Sequence, residues 1–257
     1  MLPPIWRELT ALVTWWSPQA NAPAATAPGR GQPVLLVPGF LGGDRSMLTM
    51  LDHLSSAGYR PHGSGISSNI GCSEATLRRL TERLERLADC YGARVAIVGH
   101  SRGGVLGRVL AARRPDLVSG VVALSAPHRD HLAVHPLVWG NIMAIALLGR
   151  LGVPGTLRFS CGGGRCCEQF WRDLAAPLRD DVGWLCVYTR GDGIVDWRAC
   201  VDASDEQLEA VGATHCGLAT HPVALHATAT ALARFDARRP LDAEPPTVAF
   251  DRERLAA

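Results

Sequence analysis

Gly99-His100-Ser101-Arg102-Gly103 is a G-x-S-x-G segment placed between an apolar run, Ala93 to Val98, and a stretch of helical pattern. In that context the serine stands on a strained strand-to-helix turn, and small flanking residues keep the neighbouring backbone from clashing. The turn holds the hydroxyl clear of the sheet. The helix behind it points backbone N–H groups at an incoming oxyanion. This is the equipment of nucleophilic attack on an acyl group. A serine hydroxyl is a poor nucleophile near neutrality, so it needs a histidine base and an acid to orient that base. The alternative is a plain glycine-rich turn, which the strand before and the helix after argue against.

The elements that would carry this turn alternate along the middle of the chain. Pro33 to Val37 is a buried strand by composition, ended by Pro38-Gly39. Residues 46–58 carry Met47, Met50, Leu51 and Leu54 at helical spacing and stop at Gly58. An extended piece follows over 59–66. Residues 74–91 repeat Leu77, Leu80, Leu84 and Leu87 at steps of three and four, the pattern of an amphipathic helix. Further strands are expected at 93–98, 118–124 and 183–188, with helices from the serine through Ala112 and over 223–235. Such alternation builds βαβ units and a mostly parallel sheet with helices on both faces, an α/β class. The domain should span 33–240. Ahead of it stand a short helix over 5–16 and a Pro/Ala linker, and after it a mobile tail over 241–257.

Here a resemblance enters. Gly99-His-Ser-Arg-Gly-Gly104, preceded by Val-Ala-Ile-Val98, resembles the nucleophile elbow of bacterial lipases and esterases in the α/β-hydrolase superfamily. Val34-Leu-Leu-Val-Pro-Gly-Phe40 is similar to their first oxyanion-loop segment, with Pro-Gly where His-Gly is usual. The likeness covers roughly residues 33–128 and 183–235. It implies an α/β-hydrolase fold with a helical cap insertion at 129–182. By the same likeness the backbone N–H groups of Phe40 and Arg102 would form the oxyanion hole. Pro38 removes only its own donor and leaves that of Phe40.

The resemblance also implies the chain order serine, acid, histidine. The acid belongs in the loop after a late strand, Tyr188-Thr-Arg-Gly-Asp192-Gly-Ile-Val-Asp196. Asp192 matches the family position and Asp196 is the rival, while an Asx turn before Gly193 is the role without chemistry. Of nine histidines, His53 and His62 precede the serine and His100 belongs to the turn. His128 reads as a bystander, and His131 and His135, at the spacing a metal pair would have if a helix carried both, lack a third metal ligand. Among His215, His221 and His226, His215 sits in a small-residue loop before the last helix and matches the family's ending. The implied activity is a serine-dependent carboxylic-ester hydrolase working through an acyl-enzyme, without a cofactor, on a small hydrophobic acyl ester or lipid. The same triad would serve an acyltransferase or a thioesterase. A non-catalytic binding member is the alternative of a different class.

Composition narrows the rest. In 257 residues the hydrophobic fraction is 47% and the charged fraction 19%, so the chain can bury a substantial core. Lys plus Arg number 26 against 24 Asp plus Glu, with no basic run, which argues against nucleic acid as a partner. The uncharged stretch from Leu132 to Gly149 includes His135, Pro136, Gly140 and Asn141 and reads as a lid or core helix, not a membrane span. Its segment Leu137 to Leu148 would form an apolar wall over the serine or else simply join the core. The N-terminus lacks a basic leader region and Glu8 interrupts its apolar stretch, which favours a cytoplasmic protein over an exported one. The N-terminal helix is compatible with peripheral membrane contact. Among eight cysteines, Cys161, Cys166 and Cys167 cluster in a form suited to a metal or a disulfide. No partner pair completes a zinc set, so no metal is assigned.

Overall fold

In the computed structural model, which describes residues 4–8 and 29–236, six strands form one sheet. They are β1 (Pro33–Val37), β2 (Arg60–Gly63), β3 (Val95–His100), β4 (Val118–Leu124), β5 (Gly183–Tyr188) and β6 (Gln207–Glu209). The order is β2-β1-β3-β4-β5-β6, and every strand pair among the described residues runs parallel. β1 and β4 are buried along their whole length, as befits central parallel strands; Ser119 is the one polar residue in them, and its hydroxyl accepts from Gln32 Nε2 at 3.3 Å.

Helices cover both faces. The helices α1 (Leu48–Ser56), α2 (Ser73–Tyr91), α3 (Arg102–Arg113) and α6 (Pro222–Asp236) correspond to the four expected within 33–240 outside the insertion. Leu77, Leu80, Leu84 and Leu87 of α2 pack with α3 and the β3 side chain of Ile97 in one core layer. Met50 and Leu54 of α1 share the opposite layer with Leu225 and Leu232 of α6. The expected strand over 93–98 is shifted toward the serine, so that β3 runs directly into the turn. β6 was not foreseen: three residues with Gln and Glu at the sheet edge carry no apolar run to mark them.

The insertion at 129–182 holds two helices, α4 (Pro136–Arg150) and α5 (Glu168–Ala175). Its entry is tied to the loop after β5, through His135 N–H to Ile194 O at 2.7 Å and Asp196 N–H to Ala133 O at 2.9 Å. No helix among the described residues is long and apolar enough to cross a membrane. Of the helix expected over 5–16, the described part is a single 3-10 turn, Ile5–Arg7, with Glu8 following. The remainder of that helix, the linker and the expected tail lie outside the described residues.

Candidate active site

The turn between β3 and α3 is tight because two glycines permit it. A Cβ on Gly103 would stand 2.1 Å from the Val37 carbonyl oxygen, and one on Gly99 would stand 2.4 Å from the backbone of Gly103. No side chain fits at either place. Ser101 takes up the resulting strain, with φ 51° and ψ −120°, a conformation a non-glycine residue holds only when its surroundings impose it. The Ser101 N–H is fixed to Leu124 O at 2.7 Å, anchoring the turn to the end of β4.

Arg102 follows as the first residue of α3. Its part-buried guanidinium donates to Asn69 O at 2.8 Å and to Gly71 O at 2.6 Å, and desolvation lowers its pKa to about 10. Asn69 in turn donates from Nδ2 to Pro38 O at 2.8 Å, and its backbone forms a bridge with Phe40. One residue thus ties the Phe40 segment to the Arg102 segment. Phe40, Ser101 and Arg102 all border the same cavity. Nothing in the local sequence around Asn69 marks it, since its partners come from two separate loops.

Asp192 and His215 meet across 23 positions of sequence. His215 Nδ1 lies 2.7 Å from Asp192 Oδ2, and because a carboxylate only accepts, Nδ1 carries the proton. Both are 3% exposed. Asp192 Oδ1 accepts the N–H groups of Ile194 and Val195 at 2.8 and 2.7 Å. It therefore makes the Asx turn and the histidine contact together. Burial works to lower the His215 pKa, but the charge and hydrogen bond of Asp192, with Glu8 beyond, outweigh it and raise the value. Burial likewise works to raise the Asp192 pKa, and His215 with the two N–H donors brings it below the usual carboxylate value.

The rival residues lie elsewhere. Asp196 caps the 3-10 turn Trp197–Cys200 by accepting from Arg198 N–H and pairs with the Arg198 side chain at 3.2 Å. His221 directly precedes α6 and His226 lies within it. His100 packs beneath His215, donating from Nε2 to the His215 carbonyl at 2.9 Å, and burial lowers its pKa to about 4. His128 is held by Asp205 at 3.1 Å. His131 and His135, four apart in sequence, do not share a helix. His135 caps α4, whereas His131 stacks on Trp171 with ring centroids 3.8 Å apart.

One residue of the site was missed entirely. Glu8 is buried, and its carboxylate accepts three backbone N–H groups, from Gly193, His215 and Cys216, each at 2.9 Å. No sequence signal ties residue 8 to residues 193 and 215, because the contact is made through backbone.

The cavity above Ser101 has a volume of about 260 Å³. Its walls are mainly apolar, with Val138, Ile142, Leu157 and Phe170 from the insertion facing Ser101 and His215. The opposite side of α4 does not join the core: Leu137, Met143, Leu147 and Leu148 are exposed. Of the two expectations for this segment, the wall over the serine accounts for its inner face and burial in the core does not account for its outer one.

A parallel sheet flanked on both faces, with a serine on the strand-to-helix turn after its third strand, is the α/β-hydrolase fold. A family model described as alpha/beta hydrolase fold matches residues 32–145. The chain is 33% identical to a triacylglycerol lipase of Burkholderia plantarii over 123 residues, covering 44% of this chain and 34% of that one. It is 30% identical to a triacylglycerol lipase of Pseudomonas fragi over 131 residues, covering 45% and 43% respectively. The matched region thus spans well under half of these curated relatives. Among solved structures, the mature form of the lipase BlEst2 from Bacillus licheniformis superposes with a TM-score of 0.61 at 16% identity, over 82% of this chain and 95% of that one. A soluble variant of monoglyceride lipase from Saccharomyces cerevisiae superposes with a TM-score of 0.56 at 17% identity, over 83% and 89%.

Proposed function

We propose that this chain hydrolyses carboxylic esters with a hydrophobic acyl group, using Ser101 as nucleophile, His215 as base and Asp192 as the acid that orients it. The observation that carries this reading is the convergence of a strained elbow serine and a carboxylate-held histidine on one apolar cavity. Ser101 Oγ attacks the carbonyl carbon while His215 Nε2 takes its proton. The oxyanion that forms is received by the N–H groups of Phe40 and Arg102, a contribution typically worth a factor of about 100 to 1,000 per donor. Collapse expels the alcohol, which leaves with the proton returned by His215, and an acyl-serine remains. Water, deprotonated by the same histidine, then releases the acid and restores Ser101.

The similarity to triacylglycerol lipases and the apolar walls favour acyl chains over sugars or charged groups. The exposed leucines of α4 favour work at a lipid surface, which makes peripheral contact part of the proposal. The test is release of p-nitrophenol from short and long acyl esters by wild type and Ser101→Ala. Turnover by wild type that disappears in the variant is the expected result. A folded wild-type protein inert on both esters would overturn the ester-hydrolase reading and point to a dedicated acyl acceptor or thioester.

A further inference from the structure

Away from the Ser101–His215–Asp192 group, four sulfurs converge where the insertion meets the core. Cys72 is the residue before α2, Cys167 is the residue before α5, and Cys161 and Cys166 lie in the insertion loop between α4 and α5. All four Sγ atoms lie within 4.8 Å of one another. Cys72 and Cys167 are 3.6 Å apart, Cys161 and Cys166 3.6 Å, and Cys166 and Cys167 3.7 Å. Four thiolates held about 2.3 Å from one tetrahedral ion stand about 3.8 Å apart along each edge. Three of the six edges are already near that length, and every edge lies within 4.8 Å. None of these sulfurs is bonded to another: all eight cysteines are free.

We infer that Cys72, Cys161, Cys166 and Cys167 bind a structural zinc ion that fastens the insertion to the core. Four protein ligands leave no open position, so the site is closed and serves architecture, not catalysis. Binding exchanges four S–H protons for one dication, giving a group of net charge −2. The surroundings suit that charge. Cys72 and Cys167 each cap the N-terminus of a helix, so the positive ends of α2 and α5 both point at the cluster. The Arg158 N–H donates to Cys161 Sγ at 3.3 Å. The Arg102 guanidinium donates to Gly71 O at 2.6 Å and to Ser73 Oγ at 3.2 Å, the residues on either side of Cys72, and so brings positive charge beside the cluster.

The placement explains why sequence spacing hid the set. Three ligands sit in seven residues of the insertion loop, and the fourth is supplied by a loop of the core. Leu157 N–H to Ile70 O at 2.8 Å brings the two loops together from the other side. Cys161 and Gly162 also border the cavity, so the ion would hold part of the substrate wall in place.

The experiment is elemental analysis of the full-length protein, purified without chelator and with zinc in the growth medium, alongside Cys72→Ser and Cys90→Ser. About one zinc per chain is expected in wild type and in Cys90→Ser, whose exposed cysteine lies far along α2. Cys72→Ser should lose at least nine-tenths of it. Metal-free wild type, or zinc that Cys72→Ser retains in full, would overturn the assignment. If Cys72→Ser does not fold, the wild type decides alone after exchange into cobalt. Intense visible absorption of tetrahedral cobalt thiolate, with four thiols shielded from alkylation, is then expected, and a colourless protein whose thiols all react would refute it.

Discussion

The Glu8 carboxylate accepts the backbone N–H of His215 at 2.9 Å, although 207 positions of chain separate them. The same carboxylate accepts from Gly193, next to Asp192, and from Cys216. Both loops that bring acid and base together therefore hang on one side chain from outside the sheet. Glu8 touches neither the serine nor the cavity, and so it acts as a positioning residue.

Replacing Glu8 by Ala leaves three buried N–H groups without their acceptor, at about 1–3 kcal/mol for each one not recovered by water. The expected result is a lower unfolding temperature and a kcat reduced about tenfold to a hundredfold, with KM nearly unchanged. Glu8→Gln keeps the shape and one acceptor oxygen and should recover part of kcat. Removing residues 1–22 should match Glu8→Ala in both measurements. A truncated chain with wild-type kcat would show that the loops hold their geometry unaided.

Gly103→Ala tests the packing beneath the elbow. The added Cβ would meet the Val37 carbonyl 2.1 Å away, and both are backbone-fixed, so neither can yield cheaply. A loss of about 3 kcal/mol or more in stability is expected, or failure to accumulate as folded protein. Denaturant unfolding of the variant checks it; a shift below about 1 kcal/mol would mean that α3 can slide away from β1.

Much of this architecture was legible in the residues themselves. Leu77, Leu80, Leu84 and Leu87 announce α2 by their spacing, and Val118 to Leu124 announces a strand by its short, mostly apolar run. Ser101 was legible because its turn demands glycine on either side. Asp192 and His215 followed only through chain order, since nothing near either residue says that the two touch. Glu8, Asn69 and Cys72 were not legible in these roles. Each works through a contact to a distant loop, two of them through backbone atoms that any residue type would offer. Periodicity reports which face of an element is buried, and it is silent on which loops meet above the sheet.

The outer face of α4 yields a prediction about where the proposed activity takes place. Leu137, Leu147 and Leu148 are exposed, and Leu137 reaches 62%. Leu147→Glu combined with Leu148→Glu should leave turnover of a soluble short-chain ester within about twofold of wild type, because neither side chain borders the cavity. Activity on an emulsified long-chain triacylglycerol should fall about tenfold, as burying two carboxylates at a lipid surface is costly. Equal activity of variant and wild type on the emulsion would remove the surface role of α4.

The acid limb of the pH–rate profile follows from the His215–Asp192 pair. His215 must be neutral to accept the Ser101 proton, so kcat/KM should rise with pH through the histidine's own pKa. Burial pulls that value down, but Asp192 and Glu8 raise it, so the limb should lie above the ordinary histidine value of 6.5. Asp192→Asn removes the charge and leaves burial unopposed by it. The limb of the remaining activity should then move to lower pH, while kcat falls by about a thousandfold or more as the imidazole loses its fixed tautomer. Asp192 also links the pair to stability. Its folded pKa lies below the unfolded value, so its contribution is present at neutral pH and is lost as pH falls through the folded value. Asp196→Asn, which keeps the capping acceptor for Arg198 N–H and removes only the charge of the ion pair with Arg198, should leave limb and kcat near wild type. A limb that shifts in Asp196→Asn and stays fixed in Asp192→Asn would transfer the acid's role to Asp196.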